Sequence, residues 1–237
     1  MNILMMKILW LFAIKNAQAR LAKETNIFRK GFTLAEVLIT LTLVGIVAAV
    51  TMVTLIPNIQ NAQYKTEFKD VYSVLTQVTS QIAADNGNSL KNVFTDNNDL
   101  RNKYKEYLNF IKSCDSGQTN GNCWHNNGSL KYLNGSPITT WGNPAGIILN
   151  NGSLLRLTIE SSNCTALSGT LQYCGFIYFD VNGFKGPNTL GKDMYGIWIQ
   201  ENGIKPMGTK GDGLDSSCIS LGGGQGCAAK VLMGEDY

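Results

Sequence analysis

The hydrophobic pattern changes character along the chain, and each change predicts an element. From Val37 to Ile56 no side chain is ionisable and the run is almost wholly apolar. At about 1.5 Å of helical rise per residue, a run of that length crosses the roughly 30 Å hydrocarbon core of a bilayer. Thr40, Thr42, Thr51 and Thr54 do not end the helix, because their hydroxyls can bond back to carbonyls of the preceding turn, and Gly45 lets a second helix come close. Beyond Pro57 the pattern becomes amphipathic. Tyr64, Phe68, Val71, Leu75, Val78 and Ile82 recur at spacings of three and four, on one helical face, while Lys65, Glu67, Lys69, Asp70 and Gln77 fall elsewhere. The simplest geometry is one helix from about Phe32 to about Ala84, stopped by Asp85-Asn86-Gly87-Asn88.

The remainder reads as a small sheet-bearing head. A second, shorter helix is predicted within Asp96 to Lys112, with Leu100, Tyr104, Leu108 and Ile111 on a core-facing stripe and Arg101, Lys103, Lys105 and Lys112 on a solvated face. Cys114 to Gly135 is rich in Asn, Gly and Ser and predicts a long surface loop. Gly146 to Asn150 and Ser153 to Ile159 flank the turn Asn150-Asn151-Gly152, a hairpin signal. Gly175 to Val181, Met194 to Gln200 and a short return at Ile204 to Met207 complete an antiparallel sheet of four or five strands. The tail from Gly208 to Gly226 reads as flexible loop, since its glycines lack the lysine, hydroxyl and following helix of a phosphate cradle. The predicted fold is α+β: a long N-terminal helix, membrane half plus amphipathic half, packed on a small antiparallel sheet head with disulfide-stapled loops.

Charge sharpens this division. The chain carries +3 overall, and the basic residues Lys7, Lys15, Arg20, Lys23, Arg29 and Lys30 stand before the apolar run against a single acid, Glu24. That asymmetry keeps the leader cytoplasmic and sends the C-terminal part outward. The nearly neutral exported part offers no case for strong nucleic-acid binding. Six cysteines, Cys114, Cys123, Cys164, Cys174, Cys218 and Cys227, all follow the helix. An even number in an exported domain reads as disulfides. Of the fifteen formal pairings, spacing favours three local loops: Cys114 with Cys123, Cys164 with Cys174, and Cys218 with Cys227. The leader also holds an apolar patch, Ile8 to Ile14, before Ala17-Gln18-Ala19, which superficially mimics a secretory cleavage site, and Met5 and Met6 are alternative starts.

Candidate chemistry is sparse. There is no Cys-x-x-Cys, and His125, the single histidine, lies in the polar stretch Trp124-His125-Asn126-Asn127-Gly128 without an evident nucleophile to activate. The chain reads as non-enzymatic, with no organic cofactor. One loop offers hard oxygen donors: Asp180, Asn182, Asn188 and Asp193 are a candidate Ca²⁺ set. An EF-hand would need ligands where Phe184 and Gly191 stand, and the competing reading is an Asx-turn loop joining two strands.

Arg29-Lys30-Gly31-Phe32-Thr33-Leu34-Ala35-Glu36, followed by the apolar run, resembles the type III signal of type IV pilins and type II secretion pseudopilins. The resemblance implies that a prepilin peptidase cuts between Gly31 and Phe32 and that the new amino group of Phe32 is methylated. It implies that Glu36, fifth after the cut, pairs with the amino terminus of a neighbouring subunit during assembly. Four regions follow: a leader over 1–31, a membrane or filament-core helix over 32–56, an amphipathic continuation over 57–84 and a head over 85–237. Partners implied are other pilin or pseudopilin subunits, the peptidase, an inner-membrane assembly platform and the membrane itself. The implied location is the inner membrane, single-pass with the head exported, and then a periplasmic or surface filament. A minor tip pilin, an adhesin or a DNA-uptake competence pilin is the alternative role. Trp141-Gly142-Asn143-Pro144 is similar to a tetrapeptide preceding the sheet of major pseudopilins, and calcium binding in some pseudopilins supports the Asp180 to Asp193 loop. The proline that the family often carries where Val53 stands is here displaced to Pro57.

Overall fold

A computed structural model of the protein describes residues 32–235 and residue 237. The leader, with Arg29, Lys30 and Gly31, lies outside the described residues. The chain divides into two compact units, the first ending at Thr54 and the second running from Leu55 to Tyr237. One helix, α1, spans Leu34–Asp85 and so belongs to both.

In the first unit the apolar side chains of α1 are exposed, among them Leu41, Val44, Ile46 and Val50. The hydroxyls of Thr40, Thr42 and Thr51 donate to the carbonyls of Val37, Leu38 and Val47 at 2.9–3.0 Å, so these polar groups are satisfied within the helix. Leu34–Met52 is long and apolar enough to cross a membrane. The helix continues past Pro57, whose ring nitrogen has no hydrogen to give to the preceding turn.

In the second unit the amphipathic face of α1 meets a six-stranded antiparallel sheet. Its strands are β1 (Phe110–Cys114), β4 (Ala145–Leu149), β5 (Leu154–Ile159), β8 (Gly175–Asp180), β9 (Met194–Gln200) and β10 (Gly203–Pro206), in that spatial order. Two-stranded ribbons, β2 (Leu130–Lys131) with β3 (Pro137–Ile138) and β6 (Ala166–Ser168) with β7 (Leu171–Tyr173), lie in the intervening loops. Phe68, Val71, Leu75, Val78 and Ile82 are buried against Ile147, Leu155, Ile177, Phe179 and Ile197, the side chains that alternate onto one face of the sheet. Phe68 is fully buried, its ring stacked on Phe179 at 5.6 Å and tilted against Tyr195 at 4.5 Å.

The other face of the sheet is buried too, and here the structure departs from expectation. The stretch from Cys114 to Gly135 and the first part of the tail from Gly208 to Gly226, around Asp212 and Leu214, read as surface and flexible loops, fold over this face, whereas Cys218 farther along the tail is buried in the cluster on the α1 side. Trp124, Leu130 and Met207 pack there with Leu154, Tyr178 and Trp198 in a second apolar cluster. Asp212 pins the tail: one carboxylate oxygen accepts from the Trp198 indole at 3.0 Å and the Gly208 amide at 2.7 Å, and the other accepts from the Leu214 amide at 2.8 Å. At Gly208, where φ is +92°, a Cβ would lie 1.8 Å from the Gly226 carbonyl oxygen. Glycine is therefore required in this tail for close backbone contact, not for mobility. The tail ends in a short helix that the pattern did not reveal, α3 (Cys227–Met233), which buries Ala228 and Val231.

The second predicted helix is shorter than expected. As α2 it spans Asn97–Lys105, with the Asp96 carboxylate accepting from the Asn98 and Asp99 amides at 2.7 and 2.9 Å. Leu100, Tyr104 and Leu108 are buried as the stripe requires, but Ile111 is 67 % exposed because the chain has already entered β1 and paired with β4. Arg101 departs from the solvated face: it is buried, and its guanidinium pairs with the Asp115 carboxylate. Disulfides join Cys114 to Cys123, Cys164 to Cys174 and Cys218 to Cys227. Closing loops this short removes chain entropy from the unfolded state worth about 2–3 kcal/mol each.

Candidate functional site

The start of α1 is built by a reciprocal cap. Thr33 is the N-cap residue and Glu36 the third helical residue, the spacing of a capping box. The Thr33 hydroxyl accepts from the Glu36 amide at 3.2 Å, and the Thr33 amide and hydroxyl both donate to Glu36 Oε2 at 3.0 Å. Two amides that a helix start leaves without intrahelical partners are thereby satisfied. The negative carboxylate also sits at the positive end of the helix macrodipole. The T-x-x-E signal was present in the sequence, and it gives Glu36 a local partner beside any intermolecular one. Phe32 immediately precedes the cap and is 87 % exposed. Gly31, the residue before the expected cut, lies outside the described residues.

The second candidate is the loop from Asp180 to Asp193, which joins β8 to β9. Its two aspartates are fully buried. Asp180 Oδ1 accepts from the Asn182 amide at 3.1 Å, and Oδ2 lies 2.9 Å from His125 Nε2. Asp193 accepts from the Thr189 amide at 2.7 Å and the Asn188 amide at 2.8 Å. These carboxylates cap the loop backbone, as an Asx-turn loop requires. The Asn182 side-chain amide donates to the Gly186 carbonyl at 3.0 Å. The amide oxygens of Asn182 and Asn188 are buried without a partner, so the four donors supply two uncommitted oxygens. Among the described residues no group of three or more His, Cys, Asp or Glu side chains is arranged to hold a metal ion.

His125 is not in a solvated loop. It is buried, with its ring edge-on to Trp124 and Phe184 at 5.5 Å. Burial pushes the imidazole down to about 4, because the charged form loses its hydration. Burial, and then the neighbouring Asp193 charge, push the Asp180 carboxyl well above the usual range. The two groups oppose each other in acid. A histidine held below its unfolded value of about 6.5 contributes stability that is complete above that pH and is lost as pH falls towards about 4. A carboxyl held high acts in the other sense, because the folded state takes up its proton first. His125→Gln should therefore flatten the decline in unfolding free energy between pH 6.5 and 4 relative to wild type. Parallel urea-denaturation profiles of the two proteins over that window would rule this out.

Comparison with known families matches residues 28–52 to the family described as "Prokaryotic N-terminal methylation motif". No curated protein and no solved structure matches the chain. The matched segment contains the basic pair, Phe32, the Thr33–Glu36 cap and the helix that is long and apolar enough to cross a membrane. The chain thus carries the prepilin-type N-terminal methylation motif over residues 28–52, a feature consistent with the type IV pilin and pseudopilin family.

Proposed function

We propose that the protein is a structural subunit of a type IV pilus or type II secretion pseudopilus, cut between Gly31 and Phe32, methylated on Phe32 and assembled through α1. The observation that carries this reading is the methylation motif running directly into an exposed apolar helix. Side chains such as Leu41, Val44 and Val50 are largely exposed, and an aqueous surface of that kind is unfavourable. A bilayer covers them before assembly, and the corresponding helices of neighbouring subunits cover them afterwards. The head then stands outside the filament core, stapled by its disulfides. Mass spectrometry of the N-terminal peptide recovered from membranes tests the proposal. A methylated peptide beginning at Phe32 is the expected product, and a peptide retaining Lys30-Gly31 would defeat it.

A bound Ca²⁺ in the head is a second reading, supported by the partnerless amide oxygens of Asn182 and Asn188 beside Asp180 and Asp193. When bound, the ion would supply positive charge to two buried carboxylates. Binding to the folded state alone raises the unfolding free energy by about 2.7 kcal/mol at a hundredfold excess over Kd. The mature chain should then melt several degrees higher in calcium than in chelator, and coincident melting curves would remove the ion from the account.

A further inference from the structure

In the head, Trp141 covers the guanidinium of Arg156. Arg156 stands on β5 opposite Tyr178 of β8, and so projects from the sheet face turned away from α1. It is only 4 % exposed, and no carboxylate forms an ion pair with it among the described residues. Burial lowers the guanidinium to about 10, with Tyr178 and Glu160 opposing, so the group is still charged at neutral pH. Its Nη2 donates to the Gly142 carbonyl at 3.3 Å, long for a charge-assisted bond, while Nε and Nη1 are buried without a partner. The indole nitrogen of Trp124 is buried without one too. These are the partnerless buried side-chain nitrogens among the described residues, and both side chains meet one ring. The Trp141 ring lies 5.2 Å from the Arg156 guanidinium carbon and edge-on to Trp124 at 6.2 Å. A buried charge without a hydrogen-bonded counter-ion is strongly unfavourable, and an indole N–H removed from water needs an acceptor. All three nitrogens are donors, so their complement is an acceptor carrying negative charge.

The residue that covers these donors is lightly held. Residues 139–144 have no regular secondary structure, and the Trp141 amide donates to Asn127 Oδ1 at 3.2 Å. The Trp141 ring is half-buried and lies edge-on to Tyr178 at 4.7 Å. Trp141 and the Gly142 carbonyl thus offer Arg156 a ring face and a neutral oxygen, an imperfect copy of a ring that bears an anion. We propose that Trp141 is a displaceable cover, and that the carboxylate of an acidic sugar takes its place, accepting from Arg156 and from the Trp124 indole. The surroundings favour that class. Aromatic surface continues from Tyr178 to Phe176 at 5.7 Å and from Phe176 to Trp198 at 6.1 Å, with Phe176 half-buried. Ring faces of this kind receive the C–H face of a pyranose. The Thr158 hydroxyl, opposite Phe176 and buried without a partner, suits a sugar hydroxyl. β5 and β8 are interior strands paired on both sides, so an extended acidic peptide finds no free edge there. One guanidinium under the influence of Glu160 matches the single charge of a carboxylate better than the nearly double charge of a phosphate monoester.

The test is titration calorimetry of the full chain in mild detergent, with oligogalacturonate and hyaluronan fragments as probes and their methyl esters as controls. At least one acid should bind saturably, and its methyl ester should bind at least about tenfold more weakly, since a hydrogen bond to a charged group is worth that factor or more. Arg156→Met should bind acid and ester alike. Trp141→Ala should bind the acid at least about threefold more tightly than the wild type, because the cover no longer competes with the ligand. Weaker binding by Trp141→Ala would make the ring a fixed contact and overturn its displacement. In the wild type, no saturable binding of either acid, or equal affinity for acid and ester, would overturn the proposal, and that comparison stands even if a variant misfolds. Hexaglutamate binding as tightly as the sugars would assign an acidic peptide, and competition by inorganic phosphate at equal concentration would assign a free anion; either overturns it. The site lies within the Leu55–Tyr237 unit, so none of these outcomes bears on processing at Gly31.

Discussion

Glu36→Ala is expected to lower incorporation into filaments at least tenfold while membrane insertion is unchanged, and Thr33→Ala is expected to leave incorporation largely intact. Both substitutions remove the capping box, because the bonds run between these two residues. Loss of an N-cap typically costs about 1 kcal/mol, a small fraction for a helix spanning Leu34–Asp85 that in the proposed function is covered by lipid or by neighbours. Only Glu36→Ala removes the carboxylate. Both Thr33 donors fall on Oε2, so the cap does not use Oε1, and that oxygen is suited to receive the methylated ammonium of a neighbouring Phe32. In apolar surroundings a carboxylate and an ammonium compensate each other's lost hydration, and a lone buried charge is strongly destabilising, by about 3–5 kcal/mol. A tenfold effect needs only about 1.4 kcal/mol per subunit contact. Comparing sheared filament with membrane fractions by immunoblot measures both variants. Equal defects in the two would mean that Glu36 serves only the helix start, and no defect in Glu36→Ala would end the assembly role.

Phe68→Ala should be the most damaging single change in the head. Phe68 is fully buried between α1 and the sheet and contacts the rings of Phe179 and Tyr195. Removing a buried phenylalanine costs about 3–5 kcal/mol in transfer and cavity terms. Against a total of about 5–15 kcal/mol for a folded domain, this approaches the whole margin. For a head of this size it corresponds to a fall in Tm of about 10 °C. Trp124, Trp141 and Trp198 all lie on or beside the opposite face of the sheet, so their fluorescence in mild detergent reports head unfolding separately from the apolar first half of α1. A loss of less than about 1 kcal/mol would show that the surrounding side chains close the space, contrary to the packing described.

The contrast between elements shows what local pattern can carry. The spacing of Tyr64 through Ile82 predicted the buried face of α1 because a helix of fixed period presents every third or fourth residue to the same side. Asn150-Asn151-Gly152 announced the β4–β5 hairpin, because that turn needs residues tolerant of positive φ; Gly152 has φ +90°. At Ile111 the same reasoning failed. The helical stripe continued in sequence, but pairing with β4 satisfied the backbone of Phe110–Cys114 in a strand instead. Neighbouring cysteines with short, turn-rich intervals indicated local disulfide loops, whereas nothing nearby in sequence signalled that the loops would be packed over a second face.

By itself the sequence determined the parts whose causes are local: the length of the apolar first half of α1, the cap residues at its start, the amphipathic face that follows, and the methylation motif across residues 28–52. The tertiary structure decided the partners of polar groups far apart in the chain. It gave Asp180 to His125, Arg101 to Asp115, and Asp212 to the Trp198 indole. It also set Arg156 and Trp124 against the ring of Trp141. Periodicity says which side of an element is buried. A polar side chain removed from water takes whichever complementary group the closed fold brings within hydrogen-bonding distance, and no local pattern contains that choice.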